Sequence, residues 1–338
     1  MELKNSTPFI LDRMVILDKQ AAEHLVVILK ATYLFDVKGN LTIAEKQEPV
    51  KAEDEFYGDP TNSSIKHEAE LGPMKPATDV VLFGHACVPH KGIYTMDITF
   101  RVGPVAKTVR IFGERKWTRT LGIPGISSPL PFEMIPLIYE NAFGGKDISA
   151  ENPMEHGQES FNPVGRGFQT KKSRIEWVDT TLPNIEDPAT PITRPDQHVR
   201  PQGFGFIGRN WQPRLGFAGT YDQTWLDERL PLLPLDFDER YHNAAHPDLV
   251  APGYLMGGEM VEVIGCTASG RVTFHLPKVF PACNVRFRNQ RESLDLRLNT
   301  VAVDTEARQL RLLWKGDLWI HKRLLHLREI NCRIDGET

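Results

Sequence analysis

The chain has 338 residues, 41% hydrophobic and 25% charged, and its 44 acids against 40 bases leave a formal charge of −4. These are ordinary globular values, and with the bases scattered there is no basic stripe of the kind that nucleic-acid binders carry. Folding at this length removes roughly three quarters of the unfolded chain's surface, so one large domain or two smaller ones form without a disulfide or metal staple.

From the N-terminus, Met1–Phe9 lacks the basic start and apolar run of a signal peptide. The segment His24–Val37 is dense in β-branched and aromatic residues, and Lys38-Gly-Asn40 then signals a turn before Leu41-Thr-Ile43; together they predict a hairpin. Its apolar run Leu25–Leu29 is the longest in the chain, far short of the ~20 residues a membrane span needs. Further strands are predicted at Asp79–Cys87, Gly92–Val102 and Lys107–Phe112, punctuated by Pro89–Gly92 and Gly103-Pro104.

The composition shifts between Gly122 and Arg200, where Pro and Gly recur among Phe132, Tyr139, Phe143, Phe161 and Phe168. A disordered linker is poor in aromatics, so this stretch is expected as ordered loops. Its cluster Lys171, Lys172 and Arg174 reads as a solvated loop. Strand grammar returns at Met260–Ile264, Arg271–Leu276, Leu294–Leu298, Thr300–Asp304 and Leu310–Trp314, with an acidic turn near Asp304–Arg308. Helical pieces are expected only near Pro131–Ala142 and Trp319–Leu327, since Pro and Gly, 25 and 26 copies, interrupt longer ones. The expected fold is mainly β: antiparallel sheets, sandwich- or barrel-like, in two strand-rich parts (1–121 and 201–338) joined by 122–200, possibly as one unit. A loose likeness between Val81–Gly84 and Val263–Gly265 raises a duplicated β unit as an alternative.

Cys87, Cys266, Cys283 and Cys332 form no CxxC pair. Closely spaced thiolate ligands are therefore missing, and buried free thiols in a reduced cytoplasmic protein are expected, with no membrane association.

The most distinctive segment runs from Pro201 to Glu259. It reads Pro-Gln-Gly-Phe-Gly-Phe-Ile-Gly-Arg-Asn-Trp211, Pro213-Arg-Leu-Gly-Phe-Ala-Gly-Thr-Tyr-Asp222, Thr224-Trp-Leu-Asp-Glu-Arg229, Pro231-Leu-Leu-Pro-Leu-Asp-Phe-Asp238 and Arg240–Ala245, and closes with Gly253–Glu259. It resembles the bacterial family called domain of unknown function 2169, whose hallmark is a Trp…Arg…Gly-Thr-Tyr-Asp…Trp…Arg-x-Pro…Pro-x-Asp-Phe-Asp run. The likeness extends through Lys30-Ala-Thr32, Glu55–Asp59, Lys75-Pro76, Asp79, Gly84-His-Ala86, Gly113–Trp117, Ala142–Gly145, Asn162-Pro163, Leu182–Glu186 and Leu276-Pro277. One departure is Glu114, where an Asp often follows the Gly. The resemblance implies an adaptor or effector chaperone of type VI secretion, which binds a toxin effector and helps load it onto the secreted spike (VgrG-type) protein. It implies no cofactor and no catalytic residues.

The residues themselves are compatible with that role. Trp211, Tyr221 and Trp225, with Arg214, Arg229 and Arg240, are the residue mix of interface hot spots. Asp222, Asp236 and Asp238 are carboxylates suited to bidentate pairing with those arginines. The competing reading is structural: the same side chains anchor a long loop onto the sheets. As enzyme alternatives, Asp236, Asp238 and His242, with His246 four residues on, suggest a metal-dependent hydrolase, although Asn243 replaces the Glu of a zincin and Pro247 opposes a continuing helix. A structural component of the secretion apparatus is a third possibility. Gly203–Gly208 spells GxGxxG, but no strand–turn–helix context surrounds it, and there is no Gly-x-Ser-x-Gly elbow.

Overall fold

The computed structural model describes residues 1–334. The strand Glu23–Phe35 is its spine: it pairs antiparallel with Ile10–Leu17 and Leu41–Ile43 along one side and with Gln309–Trp319 along the other. The predicted hairpin thus forms, its turn tied by Asp36, whose carboxylate accepts the Lys38 and Asn40 N–H groups at 2.8 and 2.9 Å. Gln309–Trp319 pairs on with Arg297–Asp304, and Asp79–Phe83 joins that strand in parallel.

A second, antiparallel sheet runs in the order Ile185–Glu186, Val105–Phe112, Thr95–Val102, Met260–Ile264 and Arg271–His275. A third runs Glu2–Asn5, Leu327–Ile334, Pro281–Phe287 and Arg291–Asp295, the first pair parallel. None of these three sheets closes into a barrel. Each draws strands from both ends of the chain, so residues 1–121 and 201–338 share all three.

Strand alternation decides what faces inward. Leu25, Val27, Leu29, Ala31, Tyr33 and Phe35 point into one continuous core with the inner residues of the other sheets, while Val26 and Ile28 point into a smaller outer cluster with Leu313. The spine is buried on both faces, which explains its unbroken apolar run. The predicted strand Asp79–Cys87 is split at Gly84: its φ is +142°, and a Cβ there would lie 2.1 Å from Thr305 Oγ1. Only Gly fits this position.

The two expected helical pieces are instead short. Pro131–Ala142 holds the strand Met134–Pro136 and one 3-10 turn, Tyr139–Asn141; Trp319–Leu327 holds a 3-10 turn at Leu324–His326. The reason is that each stretch supplies a strand to a neighbouring ladder, and tertiary pairing overrides a weak local preference. The irregular middle is ordered around its own small core of Trp117, Phe143, Leu182 and Ile192. The compared stretches Val81–Gly84 and Val263–Gly265 belong to strands of different sheets, Asp79–Phe83 and Met260–Ile264.

Candidate functional site

Segment 201–259 begins and ends as structure. Leu82 N–H donates to the Phe204 carbonyl at 3.1 Å, and Ala251 N–H to the Thr78 carbonyl at 2.9 Å, so both ends lie against Asp79–Phe83, the last strand of the spine sheet. An edge strand otherwise offers unpaired backbone groups to any passing chain; here the segment covers it. The first and last of the GxGxxG glycines serve ring packing: a Cβ at Gly203 would lie 2.6 Å from the Tyr139 ring and one at Gly208 2.8 Å from the Trp211 indole.

Between these ends the chain is pinned by charge. Arg214, 2% exposed, donates to the Ile207 and Tyr241 carbonyls at 2.8 and 3.0 Å and to Glu68 Oε1 at 2.8 Å. Glu68 also meets Lys75 Nζ at 3.2 Å, and Lys75 meets Asp79 at 2.6 Å. Asp79 in turn accepts the Asn243 side-chain amide and the Ala244 N–H, both at 2.8 Å. Arg214, Glu68, Lys75 and Asp79 thus each have a charged partner, the condition under which buried charges are tolerated. Burial works to raise the Glu68 carboxyl, but the Lys75, Arg214 and Arg209 charges outweigh it and hold it down at about 2.

Beside this chain, the outer face of the spine sheet carries three buried cations. The register places Lys30 opposite Leu313, and Thr32 and Ile28 opposite Arg311 and Lys315, all on one face. Lys30 pairs with Glu70 at 2.8 Å and Arg311 with Glu48 at 3.3 Å. Lys315 instead donates to the Gly72 and Pro73 carbonyls at 3.0 and 3.2 Å. Burial, then repulsion from Lys75, lowers its amine to about 7. The loop 47–76 roofs this face and leaves a cavity of about 30 Å³, a space of water size.

The eight residues singled out in sequence divide between anchoring and exposure. Trp211 is buried edge-on to Tyr139 at 5.6 Å, and Arg214 is internal as described. Trp225 Nε1 donates to the Leu232 carbonyl at 2.8 Å, and Arg229 donates to the carbonyls of Lys19 and Leu233. Asp222 caps the short helix Gln223–Glu228 through the Trp225 N–H at 2.9 Å. Asp236 accepts from Thr220 N–H and Oγ1 at 3.0 and 2.8 Å. Of the expected Arg–Asp pairs only Asp238–Arg240 forms, at 2.6 Å; Asp222 is taken by a backbone donor three residues on, and Asp236 by the backbone and hydroxyl of Thr220. Tyr221 stands half exposed against Trp225, ring centres 4.7 Å apart. Along the same stretch of chain Leu215, Leu226, Leu230 and Leu235 are also exposed. Residue order carries no signal of that exposure, since Leu is as common in cores as any residue.

His242 packs on Phe237 and Tyr241 at 5.4 and 5.9 Å, and burial lowers it to about 4. His246 lies elsewhere, 3.2 Å from Lys107 Nζ. Among the described residues no three His, Cys, Asp or Glu side chains gather as metal ligands, and no helix is long and apolar enough to cross a membrane.

Neither a curated protein nor a solved structure matches this chain. One family does, through its sequence profile over residues 20–315, including the whole edge-covering segment and the Glu68–Arg214 chain. The protein therefore belongs to the family described as an uncharacterized protein conserved in bacteria, DUF2169.

Proposed function

We propose that this protein is a non-enzymatic adaptor that binds a toxin effector of type VI secretion in the cytoplasm and helps load it onto the VgrG-type spike. The observation that carries the reading is the contrast within segment 201–259. Its ends and Arg214 are locked to the sheets, whereas residues 215–235 project with Leu215, Tyr221, Leu226, Leu230 and Leu235 in solvent. Rigidly held loops with exposed apolar side chains are a common form of protein-binding surface. Trp225 and Arg229, fixed to carbonyls within the same projection, keep that surface pre-formed and reduce the entropy lost on association. The resemblance described above supplies the identity of the partners.

The test is a binding measurement with the purified full chain, the effector encoded beside it and the spike protein. A complex with both, lost when Leu226 and Leu235 are changed to Asp, is the expected result. Absence of binding to either, with secretion of the toxin unchanged in a deletion strain, overturns the proposal.

A further inference from the structure

Two clefts meet in the irregular middle of the chain. One, about 540 Å³, lies between Pro124, Trp177 and Pro195. The other, about 190 Å³, opens over Gly144, Gly165 and Gly167. Gln169, Trp177 and Pro195 line both, so they form one groove, of a size in the range of ligand clefts, roughly 300–1,000 Å³.

The groove is built rather than incidental. Trp177 stands edge-on to Trp117, centres 6.2 Å apart at 86°, with the Arg119 guanidinium 4.7 Å from its ring centre. The wall carrying Gln169 and Lys171 is pinned by Asp147, whose carboxylate accepts from Thr170 N–H and Oγ1 at 2.9 and 3.1 Å. At the floor Gly144 pairs with Gly167 in a short parallel ladder, and glycine is required there because a Cβ at Gly144 would lie 2.1 Å from the Asn162 carbonyl oxygen.

Its lining carries Lys146, Arg166 and Lys171 against a single carboxylate. Lys171 and Gln169 make no hydrogen bond or ion pair among the described residues. Lys146 reaches only the Thr61 carbonyl and Asn62, at 3.3 and 3.4 Å. Asp196 is the one carboxylate lining the groove, a cationic balance in a chain whose formal charge is −4. An open cleft with aromatic and proline walls and a cationic balance matches an extended segment bearing carboxylates. We propose that this groove binds an extended, carboxylate-bearing segment of the effector, an inference that rests on the adaptor reading.

Calorimetric titration of the effector into the full chain tests it, with Lys171→Glu and Trp177→Ala as groove variants and Lys172→Glu, one residue outside the lining, as the control. Lys171 is exposed, so its variant keeps the wild-type melting curve; Gln169→Glu serves beside it if Trp177→Ala fails to fold. The expected result is a Kd raised about tenfold or more by each groove variant and left within about twofold by Lys172→Glu. Wild-type affinity in the groove variants overturns the groove and leaves the adaptor reading standing. An equal loss from Lys172→Glu overturns it as well, since that is general electrostatics. Weakened spike binding with unchanged effector binding removes the effector as occupant. A wild-type chain that binds no effector removes both proposals together.

Discussion

Arg214 and Glu68, 146 residues apart in sequence, meet as a buried ion pair at 2.8 Å. The contact ties the loop after Trp211 to the loop that roofs the spine sheet, beside a second tie from Arg209 to Asp54 at 3.0 Å. Removing Arg214 takes from the buried Glu68 its closest cation and leaves the Ile207 and Tyr241 carbonyls without their donor. Arg214→Ala is therefore expected to lower unfolding stability by about 3–5 kcal/mol. The double change Arg214→Met with Glu68→Gln should cost less than the sum of the singles. Urea unfolding of the wild type, Arg214→Ala, Arg214→Met, Glu68→Gln and the double variant measures both.

Glu68 also sets an acid limit. Its folded carboxyl is held at about 2 by Lys75, Arg214 and Arg209 against the opposing effect of burial, whereas an unfolded Glu titrates near ~4.3. Its stabilising contribution is fully present above the unfolded value and is lost as pH falls through the folded one. Between pH ~5 and ~2 the urea midpoint of the wild type should fall more steeply than that of Glu68→Gln.

Lys315 acts in the opposite direction. Burial and Lys75 lower its amine to about 7, against ~10.4 for a free Lys. From pH ~7 to ~10 the unfolded chain then binds the extra proton, so stability rises with pH there. Lys315→Met is expected to remove that rise and to raise stability at neutral pH, since a buried charge without a carboxylate partner is exchanged for a side chain that needs none. Thermal unfolding across that pH range, wild type against variant, distinguishes the two slopes.

The helix Gln223–Glu228 is six residues long and hangs on its cap. Asp222→Ala should cost about 1 kcal/mol locally. The expected signature is faster amide hydrogen exchange over 223–230, with the spine strand Glu23–Phe35 unchanged.

Cys266, Cys283 and Cys332 are buried and Cys87 is half-buried. Burial raises all four thiols, Cys283 to about 12 and Cys332 to about 11. A thiol reagent applied to the native protein should label Cys87 alone, and slowly, because the thiolate is the nucleophile. Labelling of all four is expected only after denaturation.

Several strands were legible because their residues carry the pattern themselves. Glu23–Phe35 shows β-branched density, and Met260–Ile264 with Arg271–His275 form the predicted hairpin across a Gly-bounded turn. Segment 201–259 was recognisable as a family hallmark, but its use was not. Nothing local to Arg214 indicates Glu68, and nothing local to Asp236 indicates that Thr220, rather than an arginine, is its partner. The groove was equally hidden: Lys171 was noticed as part of a basic cluster, while Trp177 and Pro195, which make it one wall of a cleft, come from other turns of the same region.

By itself the sequence determined the family, the β character, the turns and the absence of a long apolar span, because these depend on residue order and short-range periodicity. Tertiary structure decided that both ends of the chain share every large sheet, that segment 201–259 covers the edge of Asp79–Phe83, and which of its side chains face solvent. Those outcomes depend on which distant strand completes a ladder and which distant charge is buried beside a given one. The energies involved belong to pairs of residues, and a pair has no signature in either member alone.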